Sequence, residues 1–177
     1  MKKLLSTLVL ITGLAASAQA ATIVVGVDAG YLIDSEEEFL AARVGFEVAR
    51  TAHFAHHLEF EVGYTDDKEG GIKADLVPLT ANYRFTAPAS GKWSYYAGAG
   101  LGLARARIDG VSIFGPIKLS DEAFAVQAFG GFAYQATPAV TLSLGAKYLW
   151  VDDVKFAGTN FDVGDDVAVT AGISFRF

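Results

Sequence analysis

The 177-residue chain contains no cysteine. A disulfide framework, a thiolate metal site and a cysteine nucleophile are therefore excluded, and so is a lipoprotein anchored through an acylated cysteine. Positive charge is also short. Against 20 Asp and Glu stand 14 Lys and Arg, for a formal net charge of -6, which argues against nucleic acid as a partner. No stretch beyond residue 20 holds the ~18 consecutive apolar residues of a membrane-spanning helix. Histidine is confined to His53, His56 and His57, all in one short segment.

What is present begins at the N-terminus. Lys2 and Lys3 precede a short apolar run from Leu4 to Ala16, and Ala18-Gln19-Ala20 is a small-x-small cleavage site. This is the layout of a secretory signal peptide. It predicts cleavage after residue 20 and one mature domain over 21–177. Losing Lys2 and Lys3, two positive charges, takes the net charge from -6 to -8. The mature chain is exported, rich in apolar residues and without a spanning helix. A closed β-barrel is then its membrane solution, because lipid offers no partner to the backbone groups of an open sheet edge.

Eight segments alternate apolar and small or polar residues with the period of two that marks a strand. They are 22–32, 39–50, 57–65, 74–85, 93–105, 123–135, 139–151 and 166–177. The alternation is cleanest in the third, where Leu58, Phe60, Val62 and Tyr64 oppose Glu59, Glu61 and Gly63. Pro78 interrupts the fourth. Proline cannot donate to a ladder, so a bulge, or pairing that starts after it, is expected there. Compact turns at 51–56, 86–92 and 136–138 alternate with acidic or longer loops at 33–38, 66–73, 106–122 and 152–165. Short turns on one side and longer loops on the other are the pattern of an outer-membrane barrel. Aromatics near the strand ends suggest two interfacial girdles: Tyr31, Phe39, Tyr64, Tyr83, Phe85, Tyr95, Phe124, Tyr134, Tyr148, Trp150, Phe175 and Phe177.

The last strand carries a further pattern. Thr170 is followed by Gly172 two residues on, and by Phe175 and the terminal Phe177 five and seven residues on. This resembles the C-terminal assembly signal of bacterial outer-membrane β-barrels. Val77 to Phe85, Tyr95 to Gly102 and Gly172 to Phe177 extend the likeness. On these residues the whole mature chain resembles the small eight-stranded outer-membrane barrels of the OmpA/OmpX type. The resemblance implies an all-β, eight-stranded, antiparallel up-and-down transmembrane barrel from a Gram-negative envelope. It also implies a monomer whose partners are outer-membrane lipid and lipopolysaccharide, the barrel assembly machinery and periplasmic chaperones. It says little about activity. OmpA proteins often continue into a peptidoglycan-binding domain, and that role does not carry over to a chain ending at Phe177.

The alternation sends Asp28, Glu47, Glu59 and Glu61 to the inner face together with Arg43, Arg84, Lys147 and Arg176. Four negative and four positive groups balance. Eight strands enclose just enough width for side chains to fill, so the charges are expected to form a paired plug. A narrow polar path whose pairs exchange partners is the other reading. Gly98-Ala99-Gly100-Leu101-Gly102 superficially matches a phosphate-cradling loop, but such a loop must open a helix. Here the alternation runs on through Leu103, so the glycines read as a small inner face leaving room for Tyr96, Phe129 or an arginine. His53 and His57, four residues apart, would suit a metal on a helix. Without a carboxylate or cysteine at fixed spacing the three histidines read as a solvated turn. No serine accompanies them for nucleophilic catalysis. The acidic loops (Asp34, Glu36, Glu37, Glu38; Asp66, Asp67, Glu69; Asp152, Asp153, Asp162, Asp165, Asp166) form a solvated rim, with divalent cations bridging it to lipopolysaccharide as the sharper reading.

The sequence therefore reads as an integral outer-membrane protein with a structural or surface-interaction role in the envelope. No cofactor or metal is expected, and no catalysis. A narrow porin-like channel is the alternative, and a lipid-modifying enzyme the third reading. Deleting Phe177 is expected to stop assembly and leave protease-sensitive protein in the periplasm. Cell fractionation checks this, and wild-type outer-membrane levels of the shortened chain would refute it.

Overall fold

Alternation of side chains along each strand decides which surface a residue joins. In β1 (Ile23–Leu32), Val25, Val27 and Tyr31 are exposed on the outside, while Leu32 is buried within. The same two-residue period organises β2 (Glu38–Arg50), β3 (Ala55–Glu69), β4 (Ile72–Pro88), β5 (Trp93–Ser112), β6 (Gly115–Gln135), β7 (Val140–Val151) and β10 (Gly164–Arg176). The structure is a computed structural model and describes residues 22–69, 72–112, 115–156, 159–161 and 163–177. The signal peptide expected over 1–20 lies outside the described residues, as does Asp162.

These eight strands close into one barrel in the order β1-β10-β7-β6-β5-β4-β3-β2. All neighbours are antiparallel, and each strand except the first and last lies beside its chain neighbours in the barrel. The expected eight-stranded up-and-down barrel is thus the observed one. The seam is sewn at its very end, where the Phe177 N–H donates to the Ile23 carbonyl (2.9 Å) and the Ile23 N–H to the Phe177 carbonyl (3.2 Å). A small separate hairpin of β8 (Val154–Phe156) and β9 (Thr159–Phe161) sits between β7 and β10.

Three connections at one end are tight, and their residues explain why. Thr51 receives the Phe54 N–H on its hydroxyl (3.0 Å), and Thr137 receives that of Val140 in the same way (3.0 Å). Threonine so placed closes a turn with its own side chain. The β4–β5 turn instead uses Gly91 at φ 59°, a left-handed conformation that glycine adopts without a steric penalty. The loop end is built differently. There the Asp166 carboxylate accepts the N–H groups of Asp34 (3.0 Å) and Ser35 (2.9 Å) and the Ser35 hydroxyl (2.7 Å), tying the β1–β2 loop to β10.

Several expectations are corrected. The segments 66–73 and 106–122 are not loops. The β3–β4 ladder runs on to Glu69 opposite Ile72, and the β5–β6 ladder to Ser112 opposite Gly115. Apolar alternation stops where the wall leaves the apolar layer, but a two-stranded ribbon needs only backbone pairing and favourable cross-strand neighbours, such as Arg105 opposite Glu122. The loop over 152–165 contains β8 and β9. Pro78 makes no bulge, and pairing does not wait for it. It pairs with Ala104 of β5 on one side. Toward β3 the ladder lapses only between Leu79 and Leu76 and resumes in the same register. Its ring points inward against Gly63, where an added Cβ would lie 2.9 Å from Pro78 Cγ. The register does shift once, in β2 between Glu47 and Ala49.

The outside of the wall is apolar all round. Leu40, Phe60, Leu79, Leu101, Leu144 and Val169 are all exposed. Aromatics flank them. Trp93 packs on Tyr134 and Tyr95 on Phe132 (centroids 5.0 and 5.2 Å) toward the turn end, and Phe124 on Trp150 (6.5 Å) toward the loop end. An apolar surface this extensive suits lipid rather than water. Phe39 does not belong to the girdles. It is 1% exposed, with Leu32, Ala41 and Ala168 inside the barrel, because the period of two puts it on the same inner face as Ala41 and Arg43.

Inside, large side chains lie over glycines of the neighbouring strands. Phe129 covers Gly98, Asn82 covers Gly100, Asp28 covers Gly172, and the Tyr96 hydroxyl reaches Gly131 and Gly145. A Cβ on Gly98 would stand 2.5 Å from Phe129 Cζ and from the Tyr83 carbonyl. Gly98→Val should therefore destabilise the barrel by about 1–3 kcal/mol through overpacking. Ala99→Val on the exposed face should stay within about 0.5 kcal/mol. Urea unfolding of the two variants in micelles checks the difference.

Candidate functional site

The inner face gathers its charges into a layer across the middle of the lumen. Neighbouring strands bring Asp28 of β1 beside Arg43 of β2, and these two form an ion pair with both side chains buried. Glu59 and Glu61 follow on β3, which pairs with β2 so that Arg43 lies opposite Glu61. Arg84 of β4 reaches Glu59 at 3.5 Å, and Lys147 of β7 crosses the lumen to bind Glu61. Arg84 also lies 4.0 Å over the centroid of the Tyr96 ring. Lys147 lies 4.9 Å over that of Phe39. In a desolvated setting each such cation–π contact contributes on the order of 2 kcal/mol.

A neutral polar cluster joins this layer, and the sequence reading did not identify it. The amide of Gln127 donates to Asn82 Oδ1 (2.7 Å) and Thr80 Oγ1 (2.9 Å), and reaches Glu61 Oε1 at 3.3 Å. Gln127 and Asn82 are fully buried. Their inward positions were legible from the alternation. Their partnership with Glu61 was not, because it joins β6, β4 and β3 across the lumen.

The eight charged residues expected inside do not all meet. Asp28, Arg43, Glu59, Glu61, Arg84 and Lys147 do. Glu47 lies lower, where its carboxylate accepts two hydrogen bonds from Arg50 (2.7 and 2.5 Å). It stays in register opposite His57, and the irregularity of β2 comes only after it, so its height along the strand is what places it outside the central layer. Arg176 is exposed at the turn-end mouth. The expected histidine turn is also split. His53 is in the turn and exposed. His56 faces outward, with its Nδ1 2.7 Å from the Tyr83 hydroxyl. His57 points into the barrel and is 6% exposed, since β3 begins at Ala55 and the strand period carries His57 to the same face as Glu59. Among the described residues no group of three His, Asp or Glu is placed to hold a metal ion.

The layer divides the lumen. At its level the free volume is about 20 Å³, bounded by Asp28, Arg43, Glu59, Glu61, Arg84, Tyr96, Phe129, Lys147 and Thr170. Above it, toward the loop end, opens a cup of about 420 Å³ with Leu76, Ile108, Leu149 and Val154 in its wall and Asp34, Glu37, Asp165 and Asp166 at its rim. Below it, at the turn end, lies a cavity of about 270 Å³ with basic walls. Part of the acidic rim is already engaged. Lys73 binds Asp75 at 2.5 Å and stands 3.7 Å from Asp66, and Glu37 accepts the Thr65 hydroxyl at 2.5 Å.

The four residues of the C-terminal pattern occupy two surfaces. Thr170 and Gly172 face inward. Thr170 is buried, 3.5 Å from the Gly145 carbonyl, and Gly172 lies under Asp28. Phe175 and Phe177 are exposed on the outside.

Comparison with known proteins agrees with this architecture. A family model described as "Outer membrane protein beta-barrel domain" matches residues 6–177. No curated protein sequence matches the chain. Among solved structures, the chain is similar to Neisserial surface protein A (NspA), with a TM-score of 0.66 and 17% identity over 91% of this chain and 99% of that one. It is also similar to Ail, the attachment invasion locus protein of Yersinia pestis, solved with the heparin analogue sucrose octasulfate. That match has a TM-score of 0.55 and 18% identity over 89% and 97% of the two chains. The outer membrane enzyme PagL shares the fold as well, with a TM-score of 0.51 and 10% identity over 85% and 97%. The fold thus serves both enzymes and proteins of other kinds.

The central pairs make a strong prediction. Glu61→Ala leaves Lys147 buried without its partner and should cost about 3–5 kcal/mol, whereas replacing both Glu61 and Lys147 by Met should cost much less than the two single losses together. Glu38→Ala, at the exposed start of β2, should change little. Unfolding free energies from a double-mutant cycle in micelles test this, and equal, small effects throughout would mean a wet lumen.

Proposed function

Because the chain belongs to the outer membrane protein beta-barrel domain family, we propose that it is a sealed barrel with a structural or surface-interaction role in the cell envelope. The observation that carries this reading is the central layer. The cavity among the paired charges, Tyr96, Phe129 and Thr170 holds only about 20 Å³, room for about one water rather than a continuous path. The tight-turn end faces the periplasm and the long hairpins project outward, as in outer-membrane barrels generally.

In this reading the signal peptide over 1–20 directs export and is removed. Thr170, Gly172, Phe175 and Phe177 present the strand that the barrel assembly machinery recognises after delivery by periplasmic chaperones. The exposed positions of Phe175 and Phe177 support that, since an outward aromatic is accessible to a partner before lipid covers it. The finished monomer sits among lipid and lipopolysaccharide. Its surface role belongs to the hairpin arms β3–β4 and β5–β6, which stand clear of the apolar band. Catalysis is not part of this reading. PagL shows that the fold admits an enzyme, but no Ser or Thr hydroxyl is hydrogen-bonded to a histidine ring among the described residues of this chain, and a serine nucleophile needs such a base.

The narrow channel is the competing reading, and conductance separates the two. Purified barrel in planar bilayers should give no steady current, only rare small openings. Neutralising Glu61 and Lys147 together should change the frequency of those openings. Stable, large single-channel steps from the unaltered protein would overturn the sealed-barrel reading in favour of the channel.

A further inference from the structure

The cavity at the turn end has a chemistry that neither the seal nor the surface arms account for. It encloses about 270 Å³, and its wall includes Arg50, His53, His57, Arg84, Lys92 and Arg176. Among the described residues lining it, Glu59 is the single carboxylate. This basic pocket belongs to a chain whose formal net charge is -6.

The cations are not all matched. Arg50 is committed to Glu47, and Arg84 is shared between Glu59 and the Tyr96 ring. Lys92 donates to the Ala136 carbonyl (3.3 Å) and lies 6.0 Å from the Tyr134 centroid, which leaves its charge without a carboxylate among the described residues. Arg176 likewise has no described carboxylate within ion-pair distance. His57 adds an independent sign. The residue is only 6% exposed, it lines the cavity, and it makes no hydrogen bond to any described residue. Its ring nitrogens have no partner among the described residues but open to the cavity rather than being sealed from it. Here the cavity is the open side on which a ligand would supply one.

We propose that the turn-end cavity binds a phosphate-bearing oligoanion, which His57, Lys92 and Arg176 hold together with Arg84. Lys92 and Arg176 are bonded to no described carboxylate, and Glu47, opposite His57 on β2 but already paired with Arg50, offsets them only in part. This excess of cations calls for more than one negative charge, which a diphosphate carries and a lone carboxylate does not. The guanidinium fork matches phosphate oxygens in pairs, and charge-assisted bonds of this kind are the strong ones. Hydroxyls of Thr51, Thr86 and Ser94 in the same wall offer further donors. The phosphate could belong to a soluble ester or to a phospholipid headgroup at the rim, since the chemistry is the same.

The test uses the full mature barrel, refolded in phosphatidylcholine nanodiscs and labelled with 15N-histidine. Sodium pyrophosphate is titrated at constant ionic strength. The His57 ring resonances should shift saturably, and calorimetry should give a matching Kd. Arg176→Ala should weaken binding about tenfold, the equivalent of one charge-assisted contact. Lys92→Ala, in an exposed turn and harmless to folding, should weaken it in the same direction, while Lys73→Ala at the opposite end should not. A second arm replaces pyrophosphate by cardiolipin, whose two phosphates carry the charge the site calls for, in the disc. A His57 shift there assigns the site to a headgroup, and a shift only in the first arm assigns it to a soluble phosphate. No saturable shift in either arm overturns the proposal, as does an affinity that Arg176→Ala and Lys92→Ala both leave unchanged.

Discussion

Everything in this molecule depends on the hydrogen-bonded closure of one sheet. A chain that crosses lipid with strands has no water to satisfy an edge, and each bare N–H or C=O there costs several kcal/mol. The ladder between β1 and β10, continuous from Val24 opposite Arg176 to Leu32 opposite Ala168, removes both edges at once. The seam runs to the last described residue. The backbone of Phe177 makes the last two bonds of the seam with Ile23, and its ring remains outside on the apolar surface. One terminal residue thus contributes to both the ladder and the lipid-facing band.

Closing eight strands fixes the width of the lumen, and the width dictates its contents. The interior admits side chains but not a bulk-water channel. Each bulky inner group then needs a small one beside it, which is why Gly98, Gly100, Gly145 and Gly172 lie beneath Phe129, Asn82, Tyr96 and Asp28. The charges obey the same constraint. Desolvation makes an unpaired ion there expensive, so Arg43 takes Asp28, Arg84 takes Glu59 and Lys147 takes Glu61. The layer is thus a steric plug and an electrostatic one together.

Much of this was legible in the sequence because a membrane barrel writes its fold with period two. Strand faces, strand count and the inward charges of β1 to β4 followed from alternation alone. What was not legible lies where that signal stops or crosses the lumen. Beyond the apolar band the alternation fades while backbone pairing continues, so the arms of β3–β4 and β5–β6 looked like loops. Phe39 has the parity of the inward Ala41 and Arg43, so its aromatic character rather than the strand period suggested a girdle, and His57 was read as turn because β3 begins two residues earlier, at Ala55. Glu47 keeps its register opposite His57, and its separation from the central layer comes from its height along β2, which alternation does not report. The contacts of Gln127 with Thr80, Asn82 and Glu61 depend on the barrel's curvature, which no local pattern encodes.

The three levels of the lumen also set what an ion would meet along the axis. From the loop end, a cation is welcomed by the rim carboxylates Asp34, Glu37, Asp165 and Asp166 and then enters an apolar stretch with little to replace its hydration. It next meets Lys147 and Arg43, whose carboxylates are already taken, and finally a basic cavity that repels it. An anion meets the reverse order, attracted at the turn end by Lys92, Arg84 and Arg176 and repelled at the acidic rim. Neither sign of charge has a downhill path through. Breaking one central pair would not create one, because the freed partner would still carry a charge facing a region of low dielectric. The axial order of acidic rim, apolar cup, paired layer and basic cavity therefore reinforces the seal that side-chain volume imposes.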